Sequence, residues 1–372
     1  MMLRVLQVVP NMHAAGLETF IMNVYRNIDR SKVQFDFLVH YKEKCFYDDE
    51  IETLGGRIYR LSFREDLKVI NYCKSLDAFF REHSYTIVHG HMASTAMFYL
   101  YYAKKYNVPI RIIHSHNTST EYTFKGKVKQ LLLSMSKKYA NKFFACSSAA
   151  GSFLYRNIEF EIIKNAVDLT RFSANKTEIE KKNIATKRKN MGLDNKIVIG
   201  HIGRFNTQKN HKFLINVFKE IRKKYSNTVL LLVGEGELKQ EIHHYVIEQE
   251  ISNDVIFLGV RSDVDDLYQI FDLFLLPSLF EGLPVVGVES QASGLITLVS
   301  DKVTQELKMS SVIEFLPLDE EIWIKRISEM IDNGSLIKYK NVINEIREAG
   351  YDIEIMAQNL MNKYLEMSKM DN

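Results

Sequence analysis

A chain of 372 residues exceeds what one hydrophobic core usually organises, so two domains are expected. With 46% hydrophobic and 26% charged residues it is composed like a folded globular protein, which excludes bulk disorder, and a net charge of +3 is too small to imply a nucleic-acid partner. The cysteines (Cys45, Cys73 and Cys146) are scattered with no CxxC pair, which argues against a disulfide framework or a structural zinc and fits a reducing compartment. The opening residues, MMLRVLQVVP, are too short and too interrupted by Arg4 and Gln7 for a signal peptide. No apolar run approaches the roughly 18–20 residues of a membrane span. A cytoplasmic protein is expected, one still able to sit on a membrane surface.

Short apolar runs alternate with longer amphipathic segments. Strands are predicted at 3–9, 35–39, 57–61, 86–89, 110–114, 143–147 and 160–164, with helices between them such as 17–28 and 68–83. This rhythm predicts a parallel sheet covered by helices. After Asn165-Ala166-Val167-Asp168 comes a lysine-rich tract, 174–190, with little to bury, read as a connector or a solvated helix. The alternation restarts with strands at 196–203, 228–233, 254–259, 272–276, 296–300 and 312–316, and helices at 211–224, 236–249, 263–271, 285–293 and 320–332. Residues 1–170 and 171–350 thus read as two α/β domains, and 351–372 as a helix that packs back on the first. Functional residues are expected on loops just after strands, where ligands bind such sheets.

The polar residues sort that way. Gly16 follows the first strand, a glycine between strand and helix but no G-x-G-x-x-G fingerprint. His89-Gly90-His91 and His114-Ser115-His116-Asn117 end two further strands. Each histidine reads either as a ligand contact or as a buried ring bonded to backbone. A zinc site ranks below both, since no acidic or cysteine ligand stands at a standard spacing. Residues 125–142 place Val128, Leu131, Leu132, Met135 and Tyr139 on one helical face, with Lys127, Lys129 and Lys137 around the rest and Leu133 off the apolar face. That pattern fits a core-facing helix with solvated lysines, the commoner case, or a helix lying on an anionic membrane.

In the second half, Arg204 and Lys209 follow a strand within GRFNTQKNH, where a bidentate and a point-charge cation suit a diphosphate. Gly234 marks a tight backbone approach or a helix entry, and the Gly259-Val260-Arg261 strand end offers backbone to a planar base. Residues 276–294, LPSLFEGLPVVGVESQASG, break a strand with Pro277 and start a helix. Pro284 suits the first helical position, and the N–H groups of residues such as Val285 and Val286 then point at an anion. Glu281 and Glu289 stand eight residues apart, as an acid/base pair or as two holders of a sugar and a ribose.

Taken together, GRFNTQKNHKFLINVF, LLLVGEGEL, VIFLGVRSDV and PSLFEGLPVVGVESQASG resemble the family 4 retaining glycosyltransferases of the GT-B type, close to those building capsule and exopolysaccharide. GLETFIMNVYRNID, IVHGHM, RIIHSHNT and NAVDLTRF resemble the family in the first half. The resemblance implies two Rossmann-like domains facing across a cleft. It implies a nucleotide-sugar donor, a uridine one by preference, and a glycan or lipid-diphosphate-linked acceptor. No metal and no cofactor are implied, and the departing phosphate takes the acceptor's proton. Glu281 would address the donor sugar and Glu289 the ribose, with Arg204 and Lys209 on the diphosphate. Gly16, Gly234, Val260, Arg261, Leu283 and Val285 would complete the donor site. His114 or His116, preferably His116, would lie near the sugar. Two departures stand out: Ala15-Gly16 replaces a double glycine, and Ile296 replaces a proline. The rival readings are a nucleotide-sugar epimerase of the same architecture and a non-catalytic nucleotide-sugar-binding subunit.

Overall fold

The computed structural model describes residues 2–61, 69–92, 95–116 and 132–370. The chain divides into two compact units, one formed by Met1–Ala166 with Ile353–Asn372 and the other by Val167–Asp352.

Among the described residues, unit 1 holds a parallel sheet of β1 (Leu3–Val9), β2 (Val33–Val39), β3 (Ile58–Arg60), β4 (Ile87–Gly90), β5 (Ile110–Ser115), β6 (Lys142–Ala145) and β7 (Glu161–Ile162), in the order β3-β2-β1-β4-β5-β6-β7. The central strands β2 and β4 are buried on both faces, and they carry Gln34, Asp36 and His89 inside along with their apolar residues. Around the sheet lie α1 (Gly16–Asn27), α2 (Asp48–Thr53), α3 (Val69–Glu82), α4 (Ala96–Lys105) and α5 (Ser148–Tyr155). The C-terminal helix, Ile353–Met370, belongs to this unit and lies against α1 and β2. It buries Ile353, Met356, Ala357, Leu360, Met361, Tyr364 and Met367, the three-and-four spacing of one helical face.

The expected basic helix at 125–142 falls for the most part, with Lys127, Val128, Lys129 and Leu131, outside the described residues, as does Asn117. Its described end corrects the expected face. Leu133 and Ser136 are buried while Met135 is exposed. The helix stops at Ser136, whose hydroxyl donates to the Leu133 carbonyl, so its inward face is the 133/136 pair and the period does not run on to Tyr139.

Unit 2 holds β8 (Ile197–Ile202), β9 (Thr228–Val233), β10 (Val255–Gly259), β11 (Leu273–Leu276), β12 (Thr297–Ser300) and β13 (Ile313–Leu316), all parallel, in the order β10-β9-β8-β11-β12-β13. Its helices are α6 (Leu169–Phe172), α7 (Glu178–Asn190), α8 (His211–Lys224), α9 (Lys239–Glu248), α10 (Val264–Ile270), α11 (Val285–Ala292), α12 (Glu320–Asp332) and α13 (Val342–Glu348), which makes Ile353–Met370 α14. In α8, Leu214, Ile215, Val217, Phe218 and Ile221 face the core, and Arg222, Lys223 and Lys224 complement the dipole at its end. The lysine-rich tract is α7, started by a capping box of Thr177 and Glu180. It buries no residue, yet Lys187 bonds Asp263 and Asp266, and Arg188 bonds Asp272 and the carbonyls of Lys196 and Ile270. Charge rather than apolar surface fixes it to the unit.

In each sheet the strand order reverses once, between β1 and β4 in unit 1 and between β8 and β11 in unit 2. A crevice at the carboxyl ends of the strands is expected at each reversal.

Candidate active site

In unit 2 the crevice residues come from two loops. After β8 the chain runs through Gly203 and Arg204 into a short 3-10 turn, Thr207–Lys209. The Asn206 side chain accepts from the Lys209 N–H at 3.2 Å and caps this turn. Asn210 then takes the left-handed conformation, φ 55°, which asparagine tolerates, and redirects the chain into α8. After β11 come Pro277, Ser278 and the loop to Glu281. Leu279 N–H donates to the Gln208 carbonyl at 2.8 Å, and Gln208 Nε2 donates to the Phe280 carbonyl at 2.8 Å. The two loops are therefore stitched by backbone before any charge meets.

Glu281 is held at both oxygens. Lys209 Nζ lies 2.5 Å from Oε1, and Gln208 Nε2 lies 3.0 Å from Oε2. Glu281 is 8% exposed, so this is a largely desolvated charge pair whose ammonium has two further N–H bonds to give. Gln208 is a site residue the sequence reading passed over, although it stands inside the quoted GRFNTQKNH motif.

Helix α11 begins beside Glu281, with Pro284 as its N-cap at φ −70° and ψ 121°. Pro284 was expected one position further in. Its extended ψ makes it the flanking residue, and the helical backbone opens at Val285 and Val286, whose N–H groups precede any intrahelical partner. Leu283 and Val285 are buried here. Glu289 is 5% exposed, and Tyr268 Oη donates to its Oε2 at 3.1 Å. Burial pushes the Glu289 carboxyl up to about 7, and the Tyr268 hydrogen bond pulls the other way. Tyr268 left no trace in the sequence beyond an apolar position on α10.

The remaining predicted residues of unit 2 do not join this cluster. Arg204 is exposed and pairs with Glu237 at 3.1 Å. Arg261 is spent on Asp263, two contacts of 2.8 Å, and Val260 is exposed. Gly234 has φ 134°, and a Cβ there would stand 2.1 Å from the Gly203 carbonyl oxygen, so only glycine fits. The Gly203 N–H donates to the Val233 carbonyl, and the Gly234 N–H to that of Gly259, both at 2.9 Å. This links the ends of β8, β9 and β10.

In unit 1, Gly16 opens α1, and a Cβ on it would meet nothing within 4 Å. The chain itself does not require glycine there. The four histidines of the β4 and β5 strand ends come together. His89 Nε2 lies 3.1 Å from His114 Nδ1, and His91 Nδ1 lies 2.9 Å from His116 Nε2. Gln7 Oε1 of β1 accepts from His91 at 2.8 Å, and Tyr364 Oη of α14 lies 2.6 Å from His89 Nδ1. Desolvation pushes all four pKa values down, His116 to about 3, so the rings are neutral. His114 is wholly buried and His116 is half-buried, so His116 is the more accessible of the two candidates.

Among the described residues, His89, His91 and His114 bring ring nitrogens within 4.8 Å of one another. A divalent ion would need rings aimed edge-on at one point, about 2.0–2.1 Å from each nitrogen. Here the His89 and His114 rings are parallel within 6° at 5.2 Å, and His89 stacks on His91 at 4.2 Å. Apart from His114 Nε2, their nitrogens are engaged with one another, His116, Gln7 and Tyr364. The geometry is that of a hydrogen-bonded stack.

Comparison with known proteins settles the family. Residues 14–171 match Glycosyltransferase Family 4, and residues 183–309 match Glycosyl transferases group 1. A glycosyltransferase named EpsF from Bacillus subtilis is 33% identical over 99% of this chain and 98% of its own length. The chain belongs to the family 4 glycosyltransferases. Another member, the Escherichia coli UDP-Gal:alpha-D-GlcNAc-diphosphoundecaprenol alpha-1,3-galactosyltransferase, is 24% identical, covering 90% of each chain. The crystal structure of Anabaena HepE in complex with UDP and glucose superposes with a TM-score of 0.80 over 97% of this chain and 99% of that one, at 15% identity. The two parallel-sheet α/β units of this glycosyltransferase are thus of the GT-B class. No helix among the described residues is long and apolar enough to cross a membrane.

Proposed function

We propose that this glycosyltransferase moves a sugar from a uridine diphosphate donor, with retention at the anomeric carbon, to a glycan or lipid-diphosphate-linked acceptor in bacterial surface polysaccharide synthesis. It would work in the cytoplasm, at the inner face of the membrane where a lipid-linked acceptor is presented. The observation that carries the reading is the Lys209–Glu281–Gln208 cluster beside the start of α11. The relatives support it by name: the E. coli enzyme uses UDP-Gal and a diphosphoundecaprenol acceptor, and the HepE structure contains UDP and glucose.

The chemical problem is a departing diphosphate and a sugar gaining positive charge. Lys209 and the Val285 and Val286 N–H groups would stabilise the former electrostatically, with Arg204 turning from Glu237 to join them. Glu281, paired with Lys209, would hold the sugar, and Glu289 would accept from ribose hydroxyls. The strand ends at Gly234, Val260 and Arg261 would receive the base. Gly16 would admit the diphosphate close to backbone, and His116 would face the sugar. The leaving phosphate oxygen, on the same face as the incoming hydroxyl, would take its proton. These protein cations do the work of a metal ion, so neither a divalent cation nor a cofactor is required.

The test is a thermal-shift screen of nucleotides and nucleotide sugars, with and without chelator, since a ligand bound to the native state raises apparent stability. Uridine diphosphates should raise Tm equally in both conditions. A shift confined to another nucleotide, or abolished by chelator, would overturn the donor or the metal-free assignment respectively.

A further inference from the structure

Two of the four histidines of unit 1, His91 and His116, carry a determinate proton pattern. A neutral imidazole has one N–H and one bare nitrogen, and its partners decide which is which. The chain starts at Gln7, whose Oε1 can only accept. His91 Nε2, 2.8 Å away, therefore bears the proton and His91 Nδ1 is bare. The contact of 2.9 Å between that bare nitrogen and His116 requires a proton on His116 Nε2, which leaves His116 Nδ1 as an acceptor.

The second arm runs from Tyr364 Oη, 2.6 Å from His89 Nδ1, through His89 Nε2 to His114 Nδ1 at 3.1 Å. A phenol can either donate or accept, so the geometry of this arm fits both tautomers of His89 and His114. His114 Nε2 is a fully buried atom with no hydrogen-bond partner among the described residues. Rotating the Gln7 amide by half a turn would reverse both protons of the first arm. Strand register fixes the rings for this: Gln7 lies opposite His89, and His89 opposite Ile112, two residues before His114. Phe20 of α1 packs at 5.8 Å against both His114 and His116.

We infer that Gln7 sets the tautomers of His91 and His116, making His116 a hydrogen-bond acceptor at Nδ1. Gln7 and His91 are then positioning residues for His116, and the group His116 receives is a hydroxyl that donates, as a sugar hydroxyl does. That last step rests on the proposed placement of His116 at the donor; the tautomer assignment does not.

Nitrogen NMR of the full-length protein with ring-labelled histidine at pH 7.5 reads the pattern directly, with signals assigned from His91→Asn and His116→Asn. His91 and His116 should both appear as Nε2–H tautomers. In Gln7→Met, of similar size but unable to accept, the two rings should become tautomer mixtures, and kcat should fall about tenfold with donor KM little changed. Either ring found as the Nδ1–H form in the wild type, or an unaltered spectrum in Gln7→Met, would overturn the inference. If the wild type shows both rings as Nε2–H while His116→Ala transfers sugar at the full rate, the tautomer assignment stands and the placement of His116 at the donor falls.

Discussion

At the strand-order reversal of unit 2 the side chains are charged. Lys209 and Glu281 meet at 2.5 Å, and Glu289 lies buried against Tyr268 close by. At the corresponding reversal of unit 1 the side chains are neutral rings, four histidines tied to Gln7 and Tyr364. The same strand order thus supports two kinds of polar site. The charged pair of Lys209 and Glu281 carries its own counter-charge, and it suits a charged leaving group. A neutral hydrogen-bonded stack needs burial, since each ring must be kept unprotonated and each partner pre-aimed. It suits uncharged hydroxyls. The proposed function makes a matching division by charge: the cations that would meet the diphosphate are in unit 2, and the neutral ring that would meet a sugar hydroxyl, His116, is in unit 1.

The largest effect that tests the division is Lys209→Met. Removing a preorganised donor to a developing charge costs on the order of 10²–10³ in kcat. It also takes away the charge partner of Glu281, leaving the Gln208 hydrogen bond, and lowers stability by about 2 kcal/mol. Adding Glu281→Gln should restore Tm without restoring turnover. Recovery of turnover in the double variant would show that Lys209 serves only to neutralise Glu281.

Next in size is Gly16→Ala. Because a Cβ there meets nothing, the variant should keep its Tm. If the diphosphate approaches this backbone, donor kcat/KM should fall about tenfold, a cost of about 1.4 kcal/mol. Unchanged kinetics would leave unit 1 with no part in diphosphate binding and sharpen the contrast further.

The pH dependence of Glu289 comes third. Its carboxyl, raised from an ordinary 4.5 to about 7, is protonated in the fold over a range where the unfolded chain is ionised. Its contribution to stability is therefore greatest below about pH 4.5 and declines as pH rises towards 7. Ribose binding wants the ionised form, so UDP affinity measured by calorimetry should rise several-fold between pH 6 and 8. Tyr268→Phe removes the hydrogen bond that lowers this pKa and should move the midpoint upward. A flat profile would separate Glu289 from the ribose.

The smallest effect is on folding in Arg204→Ala. An exposed pair with Glu237 contributes roughly 0–1 kcal/mol, so Tm should scarcely move while donor KM rises. A large drop in Tm would make Arg204 a structural residue.

How much of this could be read in the sequence depends on how each contact is made. Parallel strands such as Thr228–Val233 and Leu273–Leu276 are buried on both faces, so their apolar runs announce them. Lys209 and Glu281 sit in loops that follow strands directly, and their place at a strand end is a matter of local order. The Glu289–Tyr268 bond and the Gln7–His91–His116 chain are different. They depend on which strand pairs with which, and in what register, and on one helix lying over another. Local periodicity carries none of that. The inward face of the segment ending at Ser136 was misread for a related reason: the period assumed a longer helix than the chain makes.

The most direct test of the account is calorimetric titration of UDP, without acceptor or added metal, into the wild-type enzyme and Lys209→Met at pH 8. The account predicts saturable binding to the wild type, unaffected by chelator, and at least tenfold weaker binding to the variant. Equal affinity for both proteins would contradict it.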